Sequence, residues 1–207
     1  MKSIASLLLL GLLAPVNAIP TVNKRAAPVA DHARANKVRL AFKEAWDGYY
    51  RHAFPHDTLT PIDNGFIDDR GEWGLTPMDA LSTAIVMNEE EIVNQILDFV
   101  PTVDFTTTRK VNESISLFES TIRYIGGMVS SYDLLKGPYK RLARDPKKVD
   151  ALLKQATVLA DTLSIAFDTP SGIADGYIIL NPERRQSGAK TSGLAEMGTL
   201  VLEWTRL

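Results

Sequence analysis

Apolar residues recur at steps of three and four through most of the chain after Asp31, and this period constrains the fold more than any other feature. The first such run has a polar back and predicts a helix that ends near Phe54-Pro55. Its apolar stripe consists of Val38, Ala41, Phe42, Ala45, Trp46 and Tyr49. Because similar runs follow along the chain, the sequence predicts an all-α fold.

The next two runs predict a helical hairpin. Thr76 is the predicted N-cap of the first helix, with Pro77 in its first turn. A break near Asn88 separates this helix from a second one, which ends before Pro101. The short connection favours antiparallel packing of the two.

A longer helix is predicted from about Ser114 to Leu117 as far as Lys136, where Gly137-Pro138 stops it. Its predicted packing stripe is Phe118, Ile122, Ile125 and Val129. A partner helix with a very regular apolar period opens at Asp145-Pro146.

A short strand is predicted over residues 177–180, and a last helix begins at Ser192-Gly193. The last helix reaches Leu207 without a glycine, asparagine or proline stop signal, so we expect a fragment. Paired helices joined by long irregular loops predict an α/α toroid or a helical array, with ligands bound at the loops. The sequence contains no strict repeat, which favours the toroid.

The N-terminus is typical of an exported protein. Lys2 precedes a leucine-rich run, and small residues around Ala18 predict a signal peptide over residues 1–18, although a retained anchor is the alternative. Residues 19–30 are a predicted linker or pro-segment, in which Lys24-Arg25 is either a processing site or two solvated charges. Residues 31–207 form the predicted domain, located in the secretory pathway or outside the cell.

Composition limits the chemistry. The net charge is −2 and basic residues are scattered, which disfavours nucleic-acid partners. The chain has no cysteine, which rules out thiolate zinc sites and cysteine nucleophiles. The sequon Asn112-Glu113-Ser114 makes Asn112 a candidate for N-glycosylation.

Glu119 and Arg123 are the candidate catalytic and binding residues. They lie four residues apart on a helix, and Gly126 and Ser130 extend the same face with small side chains. A substrate could occupy that space, with Glu119 giving up a proton and Arg123 holding hydroxyls. The alternative is an exposed ion pair worth about 0.3 kcal/mol, with glycines that permit close helix contact. Spacing alone leaves both interpretations open.

Two possible metal sites are disfavoured. His52 and His56 are separated by Pro55 and lack a third ligand, so zinc is not expected there. The acidic segment 63–72 lacks the ligand spacing of a calcium-binding loop and is interpreted as a solvated turn.

Several ordered motifs together resemble glycoside hydrolase family 47, the class I α-1,2-mannosidases, and most closely its secreted fungal members. The resemblance spans the chain after the leader. The motifs are Ala45-Trp46-Asp47-Gly48-Tyr49-Tyr50, Ala53-Phe54-Pro55-His56-Asp57, Trp73-Gly74-Leu75, Asp79-Ala80-Leu81, Leu117-Phe118-Glu119-Ser120-Thr121-Ile122-Arg123, Gly126-Gly127, Ala166-Phe167-Asp168-Thr169-Pro170-Ser171-Gly172, Gly198-Thr199-Leu200 and Leu202-Glu203-Trp204-Thr205. Thr58 and Pro77 depart from the usual family pattern.

The resemblance implies the N-terminal portion of an (α/α)7 barrel, incomplete in this chain. It implies removal of α-1,2-linked mannose from high-mannose N-glycans with inversion, by a monomer that uses Ca²⁺. Glu119 would be the acid and Arg123 a sugar contact, with Glu196 and Glu203 as candidate pocket acids. The family's base, its calcium-binding threonine and its disulfide would lie beyond Leu207, so no metal ligand is expected within the chain, and the chain alone is expected to be inactive.

Two other functions remain open beside hydrolysis. A mannosidase-like lectin of glycoprotein quality control would bind high-mannose glycans without cleaving them. A truncated gene product would have no function and would expose apolar helix faces.

Overall fold

The computed structural model describes residues 29–207. The predicted signal peptide lies outside these residues, as do all but the last two residues of the segment 19–30. Helices dominate, as the sequence predicts, and among the described residues no helix is long and apolar enough to cross a membrane.

Helices and short strands follow one another along the chain. The helices are α1 His32–His52, α2 Leu75–Val86, α3 Glu90–Phe99, α4 Leu117–Glu119, α5 Gly126–Lys136, α6 Pro146–Leu163, α7 Leu194–Gly198 and α8 Val201–Arg206, with a π-helical segment Ser120–Ile125 and 3-10 turns Val100–Thr102, Lys140–Leu142 and Ser164–Phe167. The strands are β1 Thr58–Thr60, β2 Gly65–Ile67, β3 Ser114–Ser116, β4 Tyr177–Ile179 and β5 Arg185–Gln186.

Helix α1 begins where the sequence predicts, because the Asp31 carboxylate accepts a hydrogen bond from the backbone N–H of Arg34 at 2.9 Å. Only its C-terminal half packs into the core. Trp46 and Tyr49 are buried, whereas Val38 is 54% exposed. The helix is therefore confirmed, but its predicted stripe is buried over only part of its length.

The α2–α3 hairpin is confirmed, but the predicted N-cap of α2 is wrong. The helix starts at Leu75, after Gly74 in the left-handed region at φ 73°. The Thr76 hydroxyl instead donates to the carbonyl of Asp57 at 2.6 Å. The Asp57 carboxylate caps the helix from a distance, since its Oδ1 accepts the N–H groups of Gly74 at 2.9 Å and Leu75 at 3.0 Å.

The acidic segment 63–72 is more than the solvated turn that its composition suggests. The other oxygen of Asp57 accepts the N–H groups of Arg70 at 2.9 Å and Glu72 at 3.1 Å. Asp68 binds the ring of His56 at 2.7 Å and the N–H of Asp57 at 3.0 Å. Because Asp57 is completely buried, these bonds hold the segment firmly against the core.

The helix predicted up to Lys136 is confirmed, but it is interrupted by the π-helical segment. A π turn inserts an extra residue, so the face that packs before it shifts relative to the face after it. Phe118 and Ile122 are accordingly only partly buried, while Leu117, Thr121 and Tyr124 point into the core. The predicted stripe is correct at Ile125 and Val129 and one residue out of step at Phe118 and Ile122.

Helix α6 matches its prediction closely. Asp145 caps it through a hydrogen bond from Lys147 N at 2.9 Å, and Pro146 occupies its first position. Its buried apolar residues follow the expected period: Val149, Leu152, Ala156, Leu159, Ala160 and Leu163. Helix α5 packs against both α2 and α6 and so lies at the centre of the helical layer.

The predicted strand near Tyr177 is confirmed as β4, the central strand of an antiparallel sheet in the order β3–β4–β5. Ser116 pairs with Tyr177 in register. Strand β3 runs directly into α4, so this sheet is attached to the N-terminal end of the helix that carries Glu119.

The last predicted helix is divided into α7 and α8. Leu194 and Val201 are 89% and 61% exposed, whereas Leu200, at the break between the helices, is buried. Trp204 does pack inward, edge-on to Phe167 with ring centroids 4.9 Å apart.

Candidate functional site

A cavity of about 200 Å³ lies at the junction of the acidic segment, the β3–β4–β5 sheet and the start of α4. Its wall includes Asp69, Arg70, Ser116, Glu119, Tyr177 and Glu196. Two of the predicted site residues, Glu119 and Glu196, thus share one cavity although they are far apart in sequence. We call this space the Glu119 cavity.

Glu119 is placed by the cap of its own helix. The hydroxyl of Ser116, the last residue of β3, accepts a hydrogen bond from the N–H of Glu119 at 3.2 Å. The Glu119 side chain is 27% exposed, so it contacts both the protein interior and the cavity. A carboxyl group in this position is able to reach a bound ligand.

Arg123 binds two carboxylates at once. Its Nε donates to Oε2 of Glu119, and its Nη1 donates to Oδ2 of Asp79 at 2.9 Å. These hydrogen bonds, the one to Glu119 first and the one to Asp79 second, raise the pKa of Arg123. The predicted i,i+4 pair is therefore real, and it is part of a three-residue group rather than an isolated surface pair.

Asp79 is the site residue that reasoning from spacing missed. It lies on α2, 44 residues before Arg123, so no local pattern connects the two. The only available signal is its position in the motif Asp79-Ala80-Leu81. By holding one side of the guanidinium, Asp79 fixes the direction in which Arg123 presents its Nε to Glu119.

The two glycines that follow have different roles. A Cβ on Gly127 would lie 2.7 Å from the carbonyl oxygen of Met78, so this glycine permits close contact between α5 and α2. A Cβ on Gly126 would lie 3.4 Å from Oε1 of Glu203, so this glycine leaves room for an acidic side chain. The close-contact interpretation is thus confirmed for Gly127, whereas the space beside Gly126 is occupied by the Glu203 side chain.

Glu203 lies beside the π segment and outside the cavity wall described above. Its Oε2 is buried without a hydrogen-bond partner among residues 29–207. The neighbouring Trp204 fixes this part of α8, because its Nε1 donates to the hydroxyl of Thr121 at 3.2 Å. The structure therefore brings Glu203 close to the Glu119 helix but not into the Glu119 cavity.

Asp175 fixes the loop that leads to Glu196. Its carboxylate, only 6% exposed, accepts hydrogen bonds from the N–H of Tyr177 at 3.0 Å, the hydroxyl of Ser187 at 2.8 Å and the N–H of Gly188 at 2.8 Å. Burial alone would raise the pKa of Asp175, but these hydrogen bonds together lower it. The carboxylate thus stays ionised and connects β4 to the loop before α7.

The remaining predicted residues lie away from the cavity wall. His56 is paired with Asp68, and within the described part of the chain no cluster of three or more His, Asp or Glu residues could hold a metal ion. Asn112 is exposed in a turn, with φ 58°, and its side-chain oxygen accepts a hydrogen bond from Arg185 at 3.2 Å.

The site therefore combines a capped carboxyl group, a guanidinium oriented by a second carboxylate and a small polar cavity. A carboxylic acid beside such a cavity can protonate a leaving oxygen. The adjacent guanidinium can then stabilise the carboxylate that proton transfer leaves behind. Hydrolysis of a glycosidic bond by inversion needs this acid together with a second carboxylate that activates water.

The chain is similar to known glycosyl hydrolases. Residues 41–207 match the model of glycosyl hydrolase family 47. The mannosyl-oligosaccharide alpha-1,2-mannosidase 1B of Aspergillus oryzae is 54% identical over 86% of this chain, and the mannosyl-oligosaccharide alpha-1,2-mannosidase of Penicillium citrinum is 50% identical over 88% of it. The solved structure of an alpha-1,2-mannosidase from Trichoderma reesei superimposes with a TM-score of 0.82 at 49% identity over 84% of this chain.

The comparisons also define how much of the relatives this chain spans. The matched region covers 34% of the Aspergillus oryzae protein, 35% of the Penicillium citrinum protein and 36% of the Trichoderma reesei chain. The helices described above are therefore part of an (α/α) barrel. Because the family model matches residues 41–207, which are most of this chain, the chain belongs to glycosyl hydrolase family 47.

Proposed function

We propose that this chain belongs to an enzyme that hydrolyses α-1,2-linked mannose from high-mannose N-glycans with inversion. The observation that carries the proposal is the group of Glu119, Arg123 and Asp79 at the edge of the Glu119 cavity. The relatives named above, each called a mannosidase, support the choice of sugar.

In the proposed reaction Glu119 acts as the acid. As the bond between the anomeric carbon and the glycosidic oxygen breaks, the Glu119 carboxyl transfers its proton to that oxygen, and the remaining glycan leaves as an alcohol. A water molecule attacks the anomeric carbon from the opposite face and gives its own proton to a base. Arg123 keeps its hydrogen bond to the resulting Glu119 carboxylate. The base is assigned to none of the described residues.

Two properties of the proposed enzyme rest on the family resemblance. One is calcium, and the described residues offer no group of acids or histidines that fits a metal ion, so no step above passes through it. The other is a monomeric state, whereas a position in the secretory pathway rests on the predicted signal peptide. Glu196 and Glu203 are proposed substrate contacts. Glu196 lies in the cavity wall, and the Glu203 side chain lies next to Gly126.

The test is release of mannose from α-1,2-mannobiose by the enzyme to which this chain belongs and by its Glu119→Gln variant. Glutamine keeps the size and the acceptor for Arg123 but has no proton to give, so we expect mannose release to fall by about 10²- to 10⁴-fold. Glu90→Gln is the matched control, because Glu90 also pairs with an arginine, Arg144 at 3.1 Å, but does so far from the cavity.

Three results would decide between the functions. Loss of release in Glu119→Gln alone, with unchanged thermal unfolding, supports the acid role. Equal release by both variants contradicts it. Binding of mannosides with no release by any form would favour the lectin alternative.

A further inference from the structure

The sequon Asn112-Glu113-Ser114 leads directly into strand β3, and its last residue, Ser114, belongs to the wall of the Glu119 cavity. Two residues of extended chain span at most about 7 Å, so the Cα atom of Asn112 lies within about that distance of the Cα atom of Ser114. Ser116, which caps the Glu119 helix, lines the same cavity. The candidate glycosylation site is therefore a close neighbour of the cavity wall.

The β3–β4–β5 sheet has one buried face and one face on the side of the cavity. Ile115 and Ile178 lie opposite each other and are 3% and 0% exposed, so their side chains form the buried face. Side chains alternate between faces along a strand, and directly opposite residues of an antiparallel pair share a face. The other face therefore carries Ser114, Ser116, Tyr177, Ile179 and Arg185. We call it the cavity face, because the first three of these residues line the Glu119 cavity.

Arg185 places the side chain of Asn112 on the cavity face. Its Nη2 donates to the side-chain oxygen of Asn112 at 3.2 Å. The backbone N–H of Asn112 donates to the carbonyl of Asn181 at 2.8 Å, and the Asn181 amide donates to the carbonyl of Thr108 at 2.7 Å. Asn112 is thus exposed on a fixed backbone, and a glycan attached to it would begin on the face that leads to the cavity.

The cavity is open to solvent on this side. Ser114 is exposed, Tyr177 is 41% exposed, and the Glu119 side chain is 27% exposed. A high-mannose glycan consists of many linked sugar rings, so it extends much further than the two residues that separate Asn112 from Ser114. Its branches can therefore reach the mouth of the cavity without any movement of the protein backbone.

Attachment so close to a site raises the local concentration of the attached group. A ligand on a short flexible tether has an effective concentration of about 1 mM, whereas a second molecule present at about 1 μM would offer its glycan at a concentration about a thousandfold lower. Enzymes commonly have KM values between about 1 μM and 1 mM. A glycan on Asn112 would therefore occupy the cavity of its own molecule before it met the cavity of another.

We propose that a high-mannose N-glycan carried by Asn112 is a substrate of the same molecule, trimmed through Glu119. In each step Glu119 gives its proton to the oxygen that joins a terminal α-1,2-linked mannose to the rest of the glycan, and the bond from that oxygen to the anomeric carbon breaks. The oxygen of a water molecule bonds to the anomeric carbon, and the proton of that water passes to the base that the proposed function requires. One mannose leaves, and the shortened glycan stays on Asn112. The proposal rests on the proposed function and on the predicted sequon.

The test is co-expression of two differently tagged copies of the enzyme to which this chain belongs, wild type and Glu119→Gln. The host is a eukaryotic strain that lacks α-1,2-mannosidases of its own. Each copy is purified by its tag, and the mass of its Asn112 glycopeptide is measured. Because the two copies meet in the same compartment, trimming between molecules would shorten both glycans. We expect the trimmed fraction to be at least about tenfold higher in the wild-type copy, whose own Glu119 can act.

A second sequon far along the chain provides the matched control. Val38→Ser completes an acceptor sequence at Asn36, which is exposed on α1 and lines a different groove. Val38 is 54% exposed, so this change should leave the fold intact, and thermal unfolding verifies that it does. In wild-type enzyme carrying this change, we expect the glycan at Asn36 to keep its α-1,2-linked mannoses while the glycan at Asn112 loses them.

The outcomes separate this proposal from the proposed function. Equal trimming of both tagged copies, intact glycans on both copies, or an Asn112 without a glycan overturns trimming within one molecule. Equal trimming at Asn36 and Asn112 overturns the role assigned to the position of Asn112. Release of mannose from α-1,2-mannobiose in any of these cases leaves the proposed function standing, whereas absence of that release from the wild-type enzyme contradicts the proposed function itself.

Discussion

At the residue scale, Asp57 organises the surroundings of the site without facing the cavity. Four backbone N–H groups donate to its carboxylate, and they come from both the acidic segment and the start of α2. The same segment carries Asp69 and Arg70 to the cavity wall. The position of that wall thus depends on one buried side chain.

Replacing this carboxylate should destabilise the chain strongly. Asp57→Asn would turn an N–H₂ group toward backbone donors and leave buried N–H groups without an acceptor, so we expect a loss of about 2–4 kcal/mol in the free energy of unfolding. Urea denaturation measures the loss. Asp63→Asn is the control, because Asp63 also accepts hydrogen bonds from its own turn but is exposed, and its midpoint should stay near the wild type. A small effect at Asp57 would show that water can replace its role.

Asn112 stays a prediction that the geometry makes easy to test. It is exposed, and attachment of a glycan would require only the loss of its contact with Arg185. We expect the chain secreted from a eukaryotic host to carry one glycan at this position, detected by the mass of the tryptic glycopeptide. Asn112→Gln should abolish the modification. Recovery of only the unmodified peptide from such a host would contradict the prediction.

The same residues show what the sequence can and cannot predict. Glu119 and Arg123 were accessible because they are four residues apart on one helix, where spacing determines proximity. The Asp57 carboxylate accepts hydrogen bonds from backbone groups 13 or more residues along the chain, and Asp79 binds Arg123, which is 44 residues away. Their roles therefore appear only after the chain has folded. The short β3 strand could not be predicted either, because it is stabilised by pairing with β4 and not by its own composition.

At the element scale, the contact between α2 and α5 depends on Gly127. A methyl group there would lie 2.7 Å from a backbone oxygen of Met78, which cannot move away as a side chain can. Gly127→Ala should therefore lower the free energy of unfolding by about 1–3 kcal/mol. Thermal and urea denaturation would measure this change.

Gly126→Ala is the matched control for the same element. Its added methyl would contact only the Glu203 side chain at 3.4 Å and a carbonyl at 3.5 Å, and alanine favours helices over glycine by about 1 kcal/mol. We expect its stability to be equal to or slightly above that of the wild type. Equal losses at both positions would mean that the helix itself, and not the contact with α2, disfavours a side chain.

At the scale of the whole molecule, the helices agree with the all-α prediction, while several apolar residues of α1 and α8 are exposed. Helix existence was predictable because α1 and α6 have aspartate caps and α3 and α6 have regular apolar periods. The exposure of Val38 on α1 and of Val201 and Leu202 on α8 was not, because periodicity shows that a face is apolar but not what covers it.

These exposed residues should control how the purified chain behaves in solution. Changing Val201 and Leu202, which are 61% and 75% exposed, to serine should reduce binding of a hydrophobic dye and self-association at high concentration. The free energy of unfolding should change by only about 0.5 kcal/mol, because neither residue is buried. Dye fluorescence and analytical ultracentrifugation provide the measurements. An unchanged dye signal would mean that the dye binds another apolar surface, and Val38→Ser would then be the next variant to examine.

Because residues 120–125 form a π-helical segment, the orientation of Glu119 relative to α5 depends on the number of residues between Glu119 and Gly126. Deleting one residue there would restore a regular helix and rotate everything before it by about 100° relative to α5. Glu119 would then turn away from its cavity while the contact of Gly127 with α2 persisted. The direction of the Glu119 side chain therefore depends on the number of residues in this segment. A relative whose aligned sequence lacks one residue between positions 120 and 125 would have its glutamate pointing in a different direction.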